Sequence, residues 1–436
     1  MRPGARIRSA AEVLEEVLSR HRPASQALAD WAKASRFAGS GDRAAVGNLV
    51  YDALRRKHSI AAQMESDAPR ALVLGAASRA LGLSPEAIAA AADGSPHAPE
   101  PLTPQEVANL SRAVPADAPD WVRGDLPEWL VPSLARAFGS RTAEEGAALA
   151  QRAPVDLRVN TLKTTREKTL KALASAKPAP TTLSPVGIRL PAPDGPARQP
   201  NVEAEPPHGR GWYEVQDEGS QVAALLSGAR PRKQVLDICA GAGGKTLAMA
   251  ATMGNTGQIY AFDRDKLRLR PIFERLKRAG ARNVQVLPPG DNAALEALGP
   301  RFDVVLADAP CTGSGVWRRR PDAKWRLKPQ DVPQRQAEQR AILAMAAPLV
   351  KEGGSLVYVT CSVLPEEGTD QVDAFVEANP NFERVLVSSC WSESGLCGAP
   401  PRSADGRADS LLLTPAMHGT DGFFISILRR AGTVSR

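Results

Sequence analysis

The sequence predicts an α/β fold: an open sheet with helices on both faces, preceded by an all-helical region and a small α/β segment. Three observations carry this. After Trp212, apolar strand-like runs recur at Gln234 to Ile238, Gln258 to Phe262, Asn283 to Leu287, Phe302 to Ala307, Ser355 to Val359 and Phe423 to Leu428. Helical segments separate most of them, which implies βαβ units and a parallel sheet. A glycine-rich turn follows the first run, and two later runs end in cysteine motifs, where open α/β sheets carry ligand and catalytic groups.

The amino-terminal part reads as helical. Ile7, Ala10, Ala11, Leu14, Val17 and Leu18 recur at helical spacing, as do Val46, Leu49, Val50, Ala53, Leu54 and Ile60. The second series follows Ser40-Gly41-Asp42, a cap, and its outer face carries Arg43, Arg55, Arg56 and Lys57. Alone, that charge run reads as a solvated helix face. Prolines and small residues from Asp93 to Pro104 mark a loop or hinge, and Asp125 opens a helix running to Phe138. From Val155 the texture changes: Leu157 to Lys163 reads as a strand, Thr165 to Ala174 as a helix, and the proline-dense Pro178 to Pro207 as exposed loop. The expected division is a helical domain over 1–140, a small α/β subdomain over 141–228 and the large α/β domain over 229–436.

Bulk properties agree. A chain of 436 residues exceeds one typical domain, and 43% hydrophobic content is ample for sizeable cores. A net charge of +7 favours an anionic partner such as nucleic acid. Five irregularly spaced cysteines argue against a disulfide framework and for a reducing compartment. Cys390 and Cys397 are too far apart for a zinc knuckle, with only His418 nearby, so no metal is expected. Lacking a signal-like apolar core or a membrane-length stretch, the chain reads as cytoplasmic, without membrane association, and monomeric.

The turn from Cys239 through Ala240, Gly241, Ala242, Gly243 and Gly244 to Lys245 and Thr246 allows three readings. A P-loop would need glycine where Cys239 stands. A dinucleotide fingerprint would need glycine at Thr246. An S-adenosyl-L-methionine loop, with an acid (Asp237) inside the strand, leaves no residue out of place. The next strand ends in Asp263, 20 residues after Gly243, placed to accept from both ribose hydroxyls. Asp265 reads as a helix cap. Asp291 is a candidate for the adenine edge, or an ordinary turn aspartate before a helix.

The cysteine motifs are Asp308-Ala309-Pro310-Cys311 and Tyr358-Val359-Thr360-Cys361-Ser362. One such cysteine is usually a small buried hydrophobe; two at parallel strand ends, beside a carboxylate and a glycine turn, read as chemistry. With Asp421-Gly422-Phe423-Phe424 and Trp317 to Trp325, these motifs resemble the RsmB/Nop/Sun family of RNA cytosine carbon-5 methyltransferases over about Val155 to Arg430. Ala242 departs from the family's usual proline. The resemblance implies a Rossmann-like class I methyltransferase sheet and S-adenosyl-L-methionine bound by Cys239 to Lys245, Asp263, Asp291 and Asp308. It makes Cys361 the nucleophile toward cytosine carbon 6 and Cys311 the release-assisting thiol. Asp308 would hold the cytosine edge at N3 and the exocyclic amine, while Lys245, and with it Lys163, would orient base or cofactor.

The target base must be single-stranded or flipped out. Trp317, Arg318, Arg319, Arg320, Lys324, Trp325 and Arg326 interleave aromatics with cations, a set suited to RNA stacking and phosphate contact, or to core packing. The amino-terminal region is similar to the NusB-like RNA-binding domain of RsmB, which implies small-subunit ribosomal RNA as substrate. Transfer RNA and large-subunit RNA are alternatives. A non-catalytic assembly factor is a rival that the intact Cys311, Cys361, Asp308 and Lys245 oppose, and Thr360-Cys361 opposes a DNA-type enzyme.

Overall fold

The computed structural model describes residues 1–432, which divide into two compact units. The first is helical and comprises Met1–Ala153, Ala192–Gln199 and Val316–Leu327. It begins with α1 (Pro3–Arg20), α2 (Ala24–Ala34), α3 (Ser40–Arg55), α4 (Lys57–Met64) and α5 (Pro69–Leu81). The periodic apolar residues, among them Ile7, Leu14, Val46, Leu49 and Leu54, lie in its core. The cap of α3 differs in detail from the expected one. Ser40 is already helical, Gly39 is the N-cap, and Asp42 accepts the Gly39 N–H at 3.2 Å. The helix expected from Asp125 starts later, at Val131, after a 3-10 turn over Glu128–Leu130. Asp125 itself has φ 52° and turns its carboxylate to Ser59, accepting from its N–H at 2.8 Å and its hydroxyl at 2.7 Å.

In this unit one expectation fails and one open alternative is decided for core packing, for one reason. Arg55, Arg56 and Lys57 do not form a solvated face, and Trp317, Arg318, Lys324 and Trp325 are not displayed for stacking. They pack on one another. Trp317 and Lys324 are each 1% exposed and Arg318 4%. The Trp325 indole donates to the Leu54 carbonyl at 2.6 Å, and Arg55 donates to the Arg318 carbonyl at 3.0 Å. The Lys324 ammonium donates to the carbonyls of Arg55 (3.0 Å) and Asp125 (2.6 Å) and lies 4.6 Å from the Trp325 ring centre. These cations satisfy the carbonyl at the end of α3 and turn carbonyls at Asp125 and Arg318 that burial would otherwise leave unpaired. Arg320, in the same run, stays exposed.

The second unit (Pro154–Pro191, Pro200–Gly315 and Lys328–Arg436) holds two sheets. The smaller is antiparallel, in the order β2-β3-β1-β4, with β1 (Val155–Val159), β2 (Ala179–Pro180), β3 (Gly187–Leu190) and β4 (Tyr213–Val215). The stretch from Pro178 to Pro207 is therefore not simply exposed loop. It contains β3, whose Ile188 and Leu190 are fully buried. Arg189 pins that strand with a bidentate pair to Asp156 at 2.7 and 2.6 Å. Four strand residues amid dense proline leave too short an alternation to read.

The larger sheet contains β5 (Gln234–Asp237), β6 (Gln258–Ala261), β7 (Val284–Val286), β8 (Phe302–Asp308), β9 (Val350–Thr360), β10 (Phe382–Val385), β11 (Leu411–Leu413) and β12 (Phe423–Arg430). Their order is β10-β12-β9-β8-β5-β6-β7, with β11 also on β12. The expected parallel sheet is found only from β7 to β9; β12 runs antiparallel to β9, and β10 and β11 antiparallel to β12. A buried apolar run does not encode its direction, so sequence periodicity misses this. From β5 the chain builds first toward β7 and then, from β8, in the other direction. The switch point lies between β5 and β8, where such sheets open a crevice at their carboxyl ends.

Candidate active site

The glycine turn fills one side of that crevice. Gly241 and Gly243 have φ of 48° and 84°, and a Cβ at Gly243 would lie 2.6 Å from Ile272. Asp263, buried at the end of β6, accepts the Gly241 N–H at 2.9 Å on one oxygen and the Asp265 N–H at 2.8 Å on the other. Asp265 caps the following turn, accepting from Leu267 N–H at 2.8 Å. Arg275 donates to the Ala242 carbonyl at 2.8 Å, bracing the place where the resembled family carries proline.

Beneath the turn, Asp237 accepts from the Thr246 hydroxyl at 2.7 Å, and its other oxygen has no hydrogen-bond partner among the described residues. Burial raises its carboxyl to about 7. Burial also raises the Cys239 thiol, assisted by Asp237 and Asp263. Arg158, on β1, donates to the Gly244 carbonyl at 2.6 Å and to Gln216 at 2.7 Å, and burial lowers its guanidinium to about 10. That contact ties the small sheet to the first turn of the helix Gly244–Thr252.

Across the switch point, the Lys245 ammonium pairs with Asp308 at 2.6 Å and lies 5.2 Å from the Phe423 ring centre. The two cysteines follow neighbouring parallel strands, in a register that sets Asp308 against Val359. Their sulfurs are 3.4 Å apart. Close backbone contacts hold the loops. Gly315 N–H donates to the Cys361 carbonyl at 3.0 Å, and Gly422 N–H to the Gly315 carbonyl at 2.8 Å. A Cβ on Gly315 would lie 2.2 Å from the Gly422 oxygen, so that glycine is required by proximity. Ser314 and Ser362 join their hydroxyls at 2.9 Å. The hydrogen bond shared with Cys361 and then burial raise the Cys311 thiol well above its ordinary value.

Lys245, Asp308, Cys311, Cys361 and the turn from Cys239 to Gly244 thus meet at the ends of β5, β8 and β9, with Asp263 beside them at the end of β6. Asp291 accepts the Ala294 N–H at 2.9 Å and caps the helix Asn292–Glu296, one residue beyond a Gly290 N–H that reaches the Asp263 carbonyl at 3.2 Å. Lys163 does not join the site. Its ammonium donates to the carbonyls of Arg278 (2.6 Å) and Arg210 (3.2 Å), covering a helix carboxyl end. Sequence reading missed Glu367. Fully buried, it accepts from Thr312 N–H at 2.8 Å, the Thr312 hydroxyl at 2.5 Å and the Gln339 amide at 3.2 Å. The second acid of Glu366-Glu367, five residues past Ser362 and after apolar Val363-Leu364-Pro365, was the available signal. Among the described residues, no group of three or more His, Cys, Asp or Glu is arranged to hold a metal ion, and no helix is long and apolar enough to cross a membrane.

The family model for 16S rRNA methyltransferase RsmB/F matches residues 224–429, and a model for the RsmF/B-like ferredoxin-like domain matches 126–195. A probable ribosomal RNA small subunit methyltransferase B from Synechocystis is 33% identical over 316 residues, 70% of this chain and 67% of that protein. The crystal structure of PH0851 shares the fold over 99% of both chains, with TM-score 0.73 and 23% identity. NSun6 from Pyrococcus horikoshii, solved with SFG, covers 70% of this chain and 98% of its own, with TM-score 0.62 and 22% identity. Sheet, glycine turn and strand-end acids define a Rossmann-like methyltransferase. The chain belongs to the RsmB/F family of RNA methyltransferases.

Proposed function

We propose that the protein transfers a methyl group from S-adenosylmethionine to carbon 5 of a cytosine in 16S ribosomal RNA, through a covalent cysteine–cytosine intermediate. One observation carries the chemistry: two thiols 3.4 Å apart beside the Lys245–Asp308 pair. The 16S substrate rests on the family description and on the name of the Synechocystis relative. The helical region over 1–140 is read as an RNA-binding domain, the segment over 141–228 as a small α/β subdomain, and 229–436 as catalytic.

The residues present fit the cofactor. The positive-φ glycines leave the backbone open to approach, Asp263 is held rigid by two backbone donors, and a buried Asp237 oxygen lacks a partner among the described residues. Gly241 to Lys245 and Asp263 would hold it, as would Asp291 if its capping carboxylate is shared. When bound, it supplies a methyl group on a sulfonium centre.

Carbon 5 of cytosine is a poor nucleophile until carbon 6 is attacked. The Cys361 sulfur forms the bond to carbon 6, and the ring's electrons then make carbon 5 nucleophilic enough to take the methyl group. Asp308 holds the N3 and amine edge, while the adjacent Lys245 ammonium offsets the negative charge pushed into the ring. Loss of the carbon-5 proton to water returns its bonding pair to the ring. The carbon 6–sulfur pair goes back to Cys361, which takes a proton from the Cys311 thiol. The test is adduct formation on small-subunit RNA with cofactor present. Cys361→Ala should give neither product nor adduct, and Cys311→Ala should accumulate a protein–RNA adduct that survives a denaturing gel. An adduct in Cys361→Ala and none in Cys311→Ala reverses the roles, and full methylation by both variants removes the mechanism.

A further inference from the structure

Much of the run from Trp317 to Arg326 is buried, so its cations and aromatics are not the ones an RNA strand would meet first. The same interleaving recurs, exposed, in the segment that follows Asp263. Its two helices, Lys266–Leu269 and Ile272–Ala279, are separated only by Arg270 and Pro271, and both of these keep right-handed helical dihedrals. Helical spacing therefore carries across the break. Leu269 and Ile272 are buried against Ala240 and Ala261. Lys266, Arg270, Phe273 and Lys277 recur at helical intervals on the outer side, and all are exposed.

A charge run on a helix is ordinarily a solvated face. Two features separate this one. The first is how its cations are partnered. Arg275 and Arg278, which turn inward, both reach Glu214, at 2.9 and 2.7 Å. Arg268 also turns away, its guanidinium 3.8 Å from where a Cβ on Gly241 would stand. Lys266, Arg270 and Lys277 form no ion pair among the described residues, although the acid Glu274 lies in the same helix. The second feature is apolar. Phe273 is 58% exposed and Leu267, on the same segment, 78%. A single exposed hydrophobic residue is common, but an aromatic ring set one turn from a free cation on either side is the arrangement that stacks bases and neutralises phosphates.

We propose that the outer side of this segment binds the single strand of the substrate beside the target base. Phe273 stacks on an unpaired base, and Lys266, Arg270 and Lys277 meet flanking phosphates. The proposal rests on the RNA reading given under Proposed function. Its place in the fold suits the task, because the segment starts directly after Asp263 at the end of β6, on the rim of the crevice. A duplex would meet the cations but keep its bases stacked away from Phe273, so the fit is to a single strand.

The test is fluorescence anisotropy of the full chain on labelled oligocytidylate over a series of salt concentrations. Arg270→Gln with Lys277→Gln should lower the slope of log affinity against log salt by about 1.4, at about 0.7 per single-strand phosphate contact. Phe273→Ala should weaken binding about tenfold and leave the slope unchanged, as expected for the loss of one stacked base. The comparison variant is Arg232→Gln with Arg429→Gln. It removes two exposed charges at the opposite end of the large sheet and should keep the native slope. All the substituted positions are exposed, so folding is not at stake.

An unchanged slope in the Arg270 and Lys277 variant overturns the proposal. So does an equal loss in the comparison variant, which reduces the effect to net charge, and so does native affinity in Phe273→Ala. Native RNA binding by these variants together with lost self-association in sedimentation makes the face a contact between copies and overturns it too. Methylation of small-subunit RNA by the native protein alongside any of these results removes the surface alone. A native protein that does not bind oligocytidylate and does not methylate RNA removes the RNA reading itself.

Discussion

Lys324 distinguishes a residue that touches RNA from one that holds the fold. Its ammonium is buried, bonded to the carbonyls of Arg55 and Asp125, and burial lowers it from 10.5 to about 8. Lys324→Met keeps most of the stem's packing and removes the charge. Two buried carbonyls then lose their donor, at roughly 1–3 kcal/mol each. The cation–π contact with Trp325 adds about 0.5–2 kcal/mol. Relief of the buried charge offsets roughly 3 kcal/mol, since the depression of about 2.5 units is worth about 1.36 kcal/mol per unit. These terms leave a net loss at neutral pH between about zero and about 5 kcal/mol, centred near about 2, read by denaturant unfolding of the full chain. The pH dependence has a definite sign. The folded state gives up this proton near pH 8 and the unfolded chain near 10.5, so in that window the unfolded state binds more protons and stability rises with pH. Lys324→Met should lack that rise. If the variant unfolds like the native protein but loses about 0.7 from the salt slope of RNA binding, Lys324 is a phosphate contact and the packing argument is wrong.

Two further substitutions test the site. Asp263→Ala should weaken S-adenosylmethionine binding by roughly 1.5–3 kcal/mol per charge-assisted bond lost, because each of its oxygens keeps a lone pair beyond those given to Gly241 and Asp265; unchanged affinity by calorimetry rejects the ribose assignment. Gly315→Ala, whose Cβ would collide with the Gly422 backbone, should cut methylation far more than it lowers the melting temperature, since it moves the loops that set the two sulfurs. A Gly315→Ala enzyme with native turnover would show that this contact does not position them.

Legibility followed sequence locality. The glycine turn, Asp263 and both cysteines could be read because each is a short motif at the end of an apolar run, and strand ends converge in an open α/β sheet. Arg158 and Glu367 were not read as site residues, because their importance lies in partners 86 and 55 positions away. The basic and aromatic run from Trp317 to Arg326 stayed undecided between RNA contact and core packing for a related reason. Cation–aromatic interleaving is the same string whether it faces a nucleic acid or a helical core, and only burial separates the two. The direction of β12 was hidden because period-2 patterning carries no arrow, and β10 and β11, only four and three residues long, were not read as strands. The burial of this run bears on truncation: a chain beginning near Leu126 would lose α1 to α5 while keeping Lys324, whose ammonium donates to the Arg55 carbonyl, and Trp325, which packs against the helical core.

The acids of the site also show that surroundings, more than motif membership, assign a role. Asp237, Asp263 and Glu367 are 1%, 3% and 0% exposed, whereas the Asp308 side chain keeps 31% of its surface. A base entering the crevice therefore meets one accessible carboxylate among these four. The other three are turned inward: Asp263 organises the glycine turn, Asp237 braces the helix that follows it, and Glu367 holds the Cys311 loop. Lys245 stands between these tasks, since it lies in the first turn of that helix and its ammonium reaches Asp308. Whatever fixes the glycine turn thereby fixes the cation beside the accessible carboxylate. Cofactor loop and base-reading group are joined through a single side chain, which is why the placement of one constrains the other.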